Sequence, residues 1–186
     1  MVSSYSTDLK LELMVTGENA GTWGDITNTN LNILQQAIAG YESVALNATT
    51  GATLTFSNGV TSNGKNAVLN LTGTLTSSVN VVIPDGIEKT YTVKNATTGA
   101  YAVTFKTTSG TGATWSTTDK GVKLLYSDGT NVVDVNSELK TISLFTLPTV
   151  DGTSGQAIIT NGAGSLSFAT AGITTGKAIA MAMVFG

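Results

Sequence analysis

Hydrophobic and polar residues alternate near the start of the chain. Over residues 8–15 every second position is leucine or valine, and the charged residues Asp8, Lys10 and Glu12 lie between them. A period of two places the apolar side chains on one face of an extended strand. The pattern therefore predicts a half-buried strand over residues 8–15.

The period then changes to that of a helix. Asp25 or Thr27 can cap its start, Gly40 closes it, and a helix near residues 25–40 is predicted. Its apolar residues recur at intervals of three and four on one face: Leu31, Leu34, Ile38 and Tyr41. The near-heptad spacing suits packing against identical helices, and the same face can instead pack on its own domain.

From residue 42 to 136, short apolar segments alternate with glycine turns. Asp85-Gly86 and Asp128-Gly129 are examples of these turns. The predicted strands are 43–47, 52–57, 66–72, 79–83, 89–95, 101–106, 121–126 and 131–135. Closely spaced short strands are typical of a β-sandwich or jelly-roll-like domain.

Two segments of this region are similar to each other. Residues 47–56 read NATTGATLTF and residues 95–105 read NATTGAYAVTF. The similarity indicates either a duplicated hairpin or the recurrence of Thr/Gly turns through composition alone.

The C-terminal part predicts a smaller β module and an apolar tail. Residues 137–147 fit a strand or a short helix, and residues 157–160 and 166–170 fit a hairpin with its turn at 161–164. The run 178–185 is too short to span a bilayer, which needs about 20 residues, and it is apolar enough to mark an interface. Its large side chains, predicted to lie in an oligomer interface, are Ile179, Met181, Val184 and Phe185.

These patterns divide the chain into three segments. From them we predict a strand-helix oligomerisation module over residues 1–41, a β-sandwich over residues 42–136, and a hairpin with the apolar tail over residues 137–186. The predicted fold is mainly β, with a β-sandwich or jelly-roll-like domain, one N-terminal helix and a small C-terminal β module. We expect it to assemble as a trimer through the helix stripe and the tail.

The amino-acid composition excludes several classes of functional site. The chain has 186 residues, a net charge of −3 and no histidine, while only 11% of its residues are charged. Cysteine and arginine are also missing, so thiolate and imidazole metal sites, the commonest general base and arginine clamps for phosphate are excluded. We predict no catalytic residues, no metal, no cofactor and no membrane insertion. The acidic balance also argues against nucleic-acid binding.

Two groups of residues are candidates for a binding site on residue type. Asp128, Asp134 and Glu138 come nearest to a carboxylate cluster, but their spacing is not that of a calcium loop. Trp115 lies in a polar Thr/Ser/Gly stretch, which makes it the candidate for an exposed aromatic that stacks on sugar rings. The other aromatic residues are assigned to the core or to a subunit interface.

Several motifs of the sequence resemble those of a known family of proteins. Gly17 is followed by AGTWG at residues 20–24 and by TNTNL at residues 27–31, and VVIPDGIEKTYTVKN and LPTVDGTSGQAIITNGAG occur further on. The chain resembles tail-fibre and other virion structural proteins of tailed phages, especially those that infect marine bacteria. It lacks the extended shaft and the large C-terminal tip domain of long fibres, so the resemblance leaves direct receptor binding open.

The resemblance implies a non-enzymatic homotrimer in the virion tail, made in the host cytoplasm, with residues 1–41 as its attachment module. It would serve as a short tail fibre or fibre adaptor in host attachment, with other tail proteins and a host surface glycan or protein as partners. The alternatives are a capsid decoration or head-fibre protein and, from another class, a carbohydrate-active spike enzyme with paired carboxylates.

Overall fold

The computed structural model describes residues 3–138, 141–142, 145–170, 179 and 182–184. The chain divides into two compact units, Met1–Asn136 and Ser137–Gly186. Residues 1–41, predicted as a separate module, belong to the same unit as the predicted sandwich.

The first unit contains one helix and eleven strands among its described residues. They are β1 Ser4–Tyr5, β2 Glu12–Leu13, α1 Trp23–Ala39, β3 Tyr41–Ala45, β4 Gly51–Thr53, β5 Val68–Thr72, β6 Val79–Ile83, β7 Glu88–Asn95, β8 Val103–Thr107, β9 Gly112–Trp115, β10 Val122–Asp128 and β11 Val132–Asp134. Short 3-10 segments occur at Asn63–Lys65 and at Val135–Glu138.

Two sheets form the body of this unit. One has the order β11-β10-β7-β5-β3 and the other the order β4-β6-β8-β9. Between β3 and β8 successive strands alternate between the sheets, and neighbours within each sheet pair in parallel, as Tyr41 pairs with Val68 and Val68 with Thr92. The chain therefore coils through a two-layer sandwich, whereas a jelly roll is built from antiparallel strands.

The core lies between the two sheets. Inward residues alternate along each strand, and those of both sheets join one cluster that includes Leu71, Tyr91, Val81 and Phe105. The Tyr91 and Phe105 rings, from opposite sheets, have centroids 5.3 Å apart. Each such buried side chain contributes roughly 1.5–3 kcal/mol through removal from water, before entropy losses.

The strand predicted over residues 8–15 was wrong. Only Glu12 and Leu13 are extended, because Lys10 has a left-handed φ of 55° that breaks the alternation. The backbone of Glu12 forms hydrogen bonds with a side chain of the helix. Asn30 Oδ1 accepts a hydrogen bond from Glu12 N (3.0 Å), and Asn30 Nδ2 donates one to Glu12 O (2.9 Å). A helix side chain thus pairs with the β2 backbone as a neighbouring strand would.

The helix prediction is confirmed, with a shift of its start. α1 begins at Trp23, after Thr22 at the N-cap position, so the acidic Asp25 lies in its first turn, where it favours the helix dipole. The helix ends at Ala39, and Tyr41 is the first residue of β3. The placement of Tyr41 on the helical stripe was therefore wrong.

The second unit contains β12 Thr141–Ile142, β13 Phe145–Thr146, β14 Gln156–Thr160 and β15 Leu166–Thr170. β14 and β15 pair antiparallel with Ile158 opposite Phe168, which confirms the predicted hairpin. Asn161 Oδ1 closes the turn by accepting hydrogen bonds from Ala163 N (2.8 Å) and Ser165 N (3.0 Å). Ile179 and residues 182–184 have helical backbone.

Candidate functional site

The outward face of α1 carries apolar side chains that the first unit leaves uncovered. Ile33 faces inward and is fully buried, whereas Leu31 is 56% exposed and Ile38 is 79% exposed. Leu34 lies at the margin and is half-buried. Of the predicted helix stripe, Leu31 and Ile38 therefore form the exposed part, one heptad apart, and we call this pair the helix patch.

The orientation of the helix patch is fixed by polar contacts on the other side of α1. Gln36 O accepts a hydrogen bond from Ala67 N (3.2 Å), and Gln36 Oε1 accepts one from Ser62 N (3.2 Å). With the Asn30–Glu12 pair, these bonds attach the helix at both of its halves. Rotation of α1 that turned Leu31 and Ile38 inward would break them.

The same contacts border a cleft. It lies between the C-terminal half of α1 and residues 61–66, with a volume of about 370 Å³. Its lining residues are Asn32, Gln35, Gln36, Ala39, Gly40, Tyr41, Thr61 and Asn66. Tyr41 is 62% exposed at the edge of this cleft, which we call the amide cleft.

Buried Lys65 holds one wall of the amide cleft. Its Nζ donates hydrogen bonds to Ser57 O (2.7 Å) and Val60 O (2.5 Å), which fastens the loop that carries Thr61. Burial, together with the nearby charge of Lys10, lowers the pKa of Lys65 to about 8. This residue was not predicted from the sequence, since a lysine in a polar loop gives no sign that its ammonium group will be enclosed.

The described part of the predicted C-terminal interface is exposed. Ile179 is 55% exposed, and Met183 and Val184 are also exposed. Met181 and Phe185 lie outside the described residues. Within a single chain, therefore, these described residues of the predicted interface are not covered by other residues.

The assignment of Trp115 as an exposed aromatic was wrong. The indole is fully buried in the core, and its Nε1 donates a hydrogen bond to Gly121 O at 3.0 Å. Trp115 ends β9, a strand that was not predicted from the sequence, and the alternation of that strand turns Ala113 and Trp115 inward. The polar residues around Trp115 in the sequence are those that face the other way.

The carboxylates considered as a cluster have separate structural contacts. Asp128 Oδ1 accepts hydrogen bonds from Thr130 N (2.8 Å) and Asn131 N (2.6 Å) in the β10–β11 turn, and these backbone donors lower the pKa of Asp128. Asp134 pairs with Lys123 at 2.7 Å. The Glu138 side chain is outside the described part of the chain, and no grouping of metal-binding side chains occurs among the residues that the structure describes.

Comparison with known protein families, curated proteins and solved structures finds no match to this chain. Within the described ranges, no helix is both long and apolar enough to cross a membrane.

Proposed function

We propose that the protein is a non-catalytic homotrimeric component of a tailed-phage particle, a short tail fibre or fibre adaptor that takes part in host attachment. The observation that carries the proposal is the helix patch: two large apolar side chains, one heptad apart, held facing solvent. Solvent exposure of such residues is unfavourable, and burial against the same residues of other copies removes them from water.

The surroundings of the helix patch favour contact between identical helices. Asp25, in the first turn, is the single charged residue of α1, and Asn28, Asn32 and Gln35 flank the patch with uncharged amides. Identical faces that lack like charges can approach without electrostatic repulsion. Burial of Leu31 and Ile38 in each subunit contributes roughly 1.5–3 kcal/mol per side chain before entropy losses.

The C-terminal tail supplies a second contact in this proposal. Ile179 and Val184 are exposed in the single chain. Met181 and Phe185, predicted from the sequence to join them, add further apolar surface. The small alanines between the large residues allow close approach of three chains.

The assignment to a phage particle rests on the sequence motifs. Part of the TNTNL motif has a structural role, because its Asn30 fastens the N-terminal segment to α1. A polar β-rich body with a fixed helix and an apolar tail suits a part that connects other proteins. The lack of histidine, cysteine and arginine accords with a role that needs no catalysis.

Electron microscopy of virions labelled with an antibody to this chain tests the location. Label on the tail is expected, whereas label spread over the capsid would contradict the tail assignment and support a decoration protein.

The purified protein should release no sugar from host polysaccharide. Turnover that is abolished by changing one carboxylate would establish a spike enzyme instead.

A further inference from the structure

We infer that the amide cleft is a binding site for a neutral carbohydrate, with the Tyr41 ring as the surface on which a sugar ring stacks. The inference goes beyond the assembly proposal and does not depend on it. The cleft is formed within one chain, and neither Leu31 nor Ile38 lines it, although its lining residues Asn32 and Gln35 also flank the helix patch.

The size and lining of the cleft set the class of ligand. A volume of about 370 Å³ is at the small end of ligand pockets, and it suits one or two sugar rings. Every lining side chain in the described structure is uncharged, and four of them are amides: Asn32, Gln35, Gln36 and Asn66. An amide offers both a donor and an acceptor, as a hydroxyl-rich neutral ligand requires.

Tyr41 adds the apolar contact that such a ligand needs. It is 62% exposed although it begins a strand of the five-stranded sheet. The face of a tyrosine ring is an apolar surface with a polar hydroxyl at one end. The C–H face of a pyranose can pack on it while the sugar hydroxyls reach the amides.

Two of the amides are held in place before any ligand binds. Gln36 Oε1 accepts from Ser62 N (3.2 Å), and Asn66 Nδ2 donates to Asn63 O (3.1 Å) while Asn66 is 3% exposed. Gly40 lies between them, and a Cβ there would collide with Gln36 O and Asn66 Oδ1. Fixed polar groups lower the entropy cost of binding.

Lys65, which precedes the lining residue Asn66, does not turn the cleft into an anion site. Lys65 directs its Nζ to Ser57 O and Val60 O, and it is not among the lining residues. A sulfated or carboxylated ligand would therefore find no charged partner among the described lining residues, so the chemistry favours a neutral sugar.

The test is binding of the full-length protein to an array of neutral and acidic oligosaccharides, followed by titration calorimetry with the strongest binder. Binding to a neutral glycan is expected. Tyr41→Ala should weaken it by about tenfold or more, which corresponds to about 1.4 kcal/mol, while Tyr41→Phe should retain it. Gln35→Ala, at an exposed position, should weaken it without disturbing the fold.

Tyr126→Ala is the matched control, because Tyr126 is also exposed on the five-stranded sheet but does not line the cleft. It should bind as the wild type does. Absence of binding to any neutral glycan, a requirement for an acidic one, or full binding by both Tyr41→Ala and Gln35→Ala would each overturn the inference. The mass in solution, measured on the same samples, separates this result from the assembly proposal.

Discussion

The space between the two sheets and the outward face of α1 both contain regularly spaced apolar residues, but their surroundings differ. Between the sheets, residues such as Leu71, Val81 and Phe105 are completely enclosed by the same chain. On α1, Leu31 and Ile38 remain exposed while Ile33 beside them is buried. The chain thus completes its sheet core alone and leaves its helix patch open.

This difference separates residues that determine folding from residues available for assembly. A change between the sheets should affect the free energy of unfolding of each chain. A change on the helix patch should leave folding of the chain almost unaffected and alter its association. The following variants test that separation, beginning with the largest expected effect.

The two tryptophans give the sharpest contrast. Trp115 is completely buried, whereas Trp23 at the start of α1 is 64% exposed. Trp115→Ala should lower the free energy of unfolding by about 3–5 kcal/mol, because it leaves a cavity in the core. Trp23→Ala should change it by less than about 0.5 kcal/mol. Urea denaturation of both variants measures the difference, and equal effects would contradict the assignment of the core.

Two glycines test how closely β4 approaches β6. Gly51 (φ 79°) and Gly86 (φ 76°) are both left-handed, but a Cβ at Gly51 would overlap the backbone carbonyl of Asn80, whereas Gly86 has open space. Gly86→Ala should cost about 1–2 kcal/mol for the backbone conformation alone. Gly51→Ala should cost more, since β4 would have to move away from β6. Equal costs in urea denaturation would argue against the parallel pairing of these strands.

Alkaline pH should stabilise the first unit. Burial lowers the pKa of Lys65, helped by the charge of Lys10, and burial lowers that of Lys89, each to about 8 from an ordinary value of 10.5. Between these values the unfolded chain binds more protons than the folded chain, so the free energy of unfolding rises with pH. Above about pH 10.5 the gain should reverse, because the unfolded lysines have then lost most of their protons, while burial raises the pKa of Tyr91 so that the unfolded tyrosine ionises first.

Denaturation midpoints measured from pH 7 to pH 11 check this prediction. Lys65→Met and Lys89→Met should each remove part of the rise, and the double variant should remove most of it. A wild-type stability that stays level or falls between pH 8 and pH 10 would show that these ammonium groups are not enclosed.

The smallest expected effect comes from the ion pairs of Lys123. Its Nζ lies 2.7 Å from Asp134 Oδ2 and 3.4 Å from Asp119 Oδ2. Burial acts to lower the pKa of Lys123, but the hydrogen bond and charge of Asp134, with those of Asp119, outweigh it and raise that pKa. Lys123→Met keeps the apolar stem and should cost about 1 kcal/mol or less. The cost should shrink at high salt, and a loss several times larger would contradict it.

Patterns within single elements were the part of the fold that the sequence could predict. The helix, the β14–β15 hairpin and most strands of the first unit follow from spacing and glycine turns. The two Asn-Ala-Thr segments do form the same turn, since Asn47 and Asn95 each accept hydrogen bonds from the backbone and hydroxyl of the threonine two residues on. They do not mark a duplicated hairpin, because the strands next to them form parallel pairs, such as β3 with β5 and β6 with β8, and not antiparallel hairpins.

Features that depend on distant residues could not be predicted in this way. Parallel pairing of β5 with β7 requires the chain to pass through the other sheet between these two strands. The glycine turns do not predict this path, because the same turns also occur in antiparallel hairpins. The burial of Trp115 depends on the strand opposite it. The amide cleft combines Tyr41 with Asn66, and no local pattern relates these two residues. The exposure of Leu31 and Ile38 depends on which face of α1 the rest of the first unit covers.

The central claim, that the helix patch is an interface between identical chains, is tested most directly by light scattering of the purified protein. Full-length chain at micromolar concentration should have three times the mass of the 19.0 kDa monomer. Leu31→Lys with Ile38→Lys should reduce it to the monomer while the β-rich circular dichroism spectrum is kept. The matched control, Asn28→Lys, adds a charge beside the patch without removing an apolar side chain, and it should weaken association less. A wild-type protein that is folded and monomeric under these conditions, or a double variant that stays trimeric, would contradict the claim.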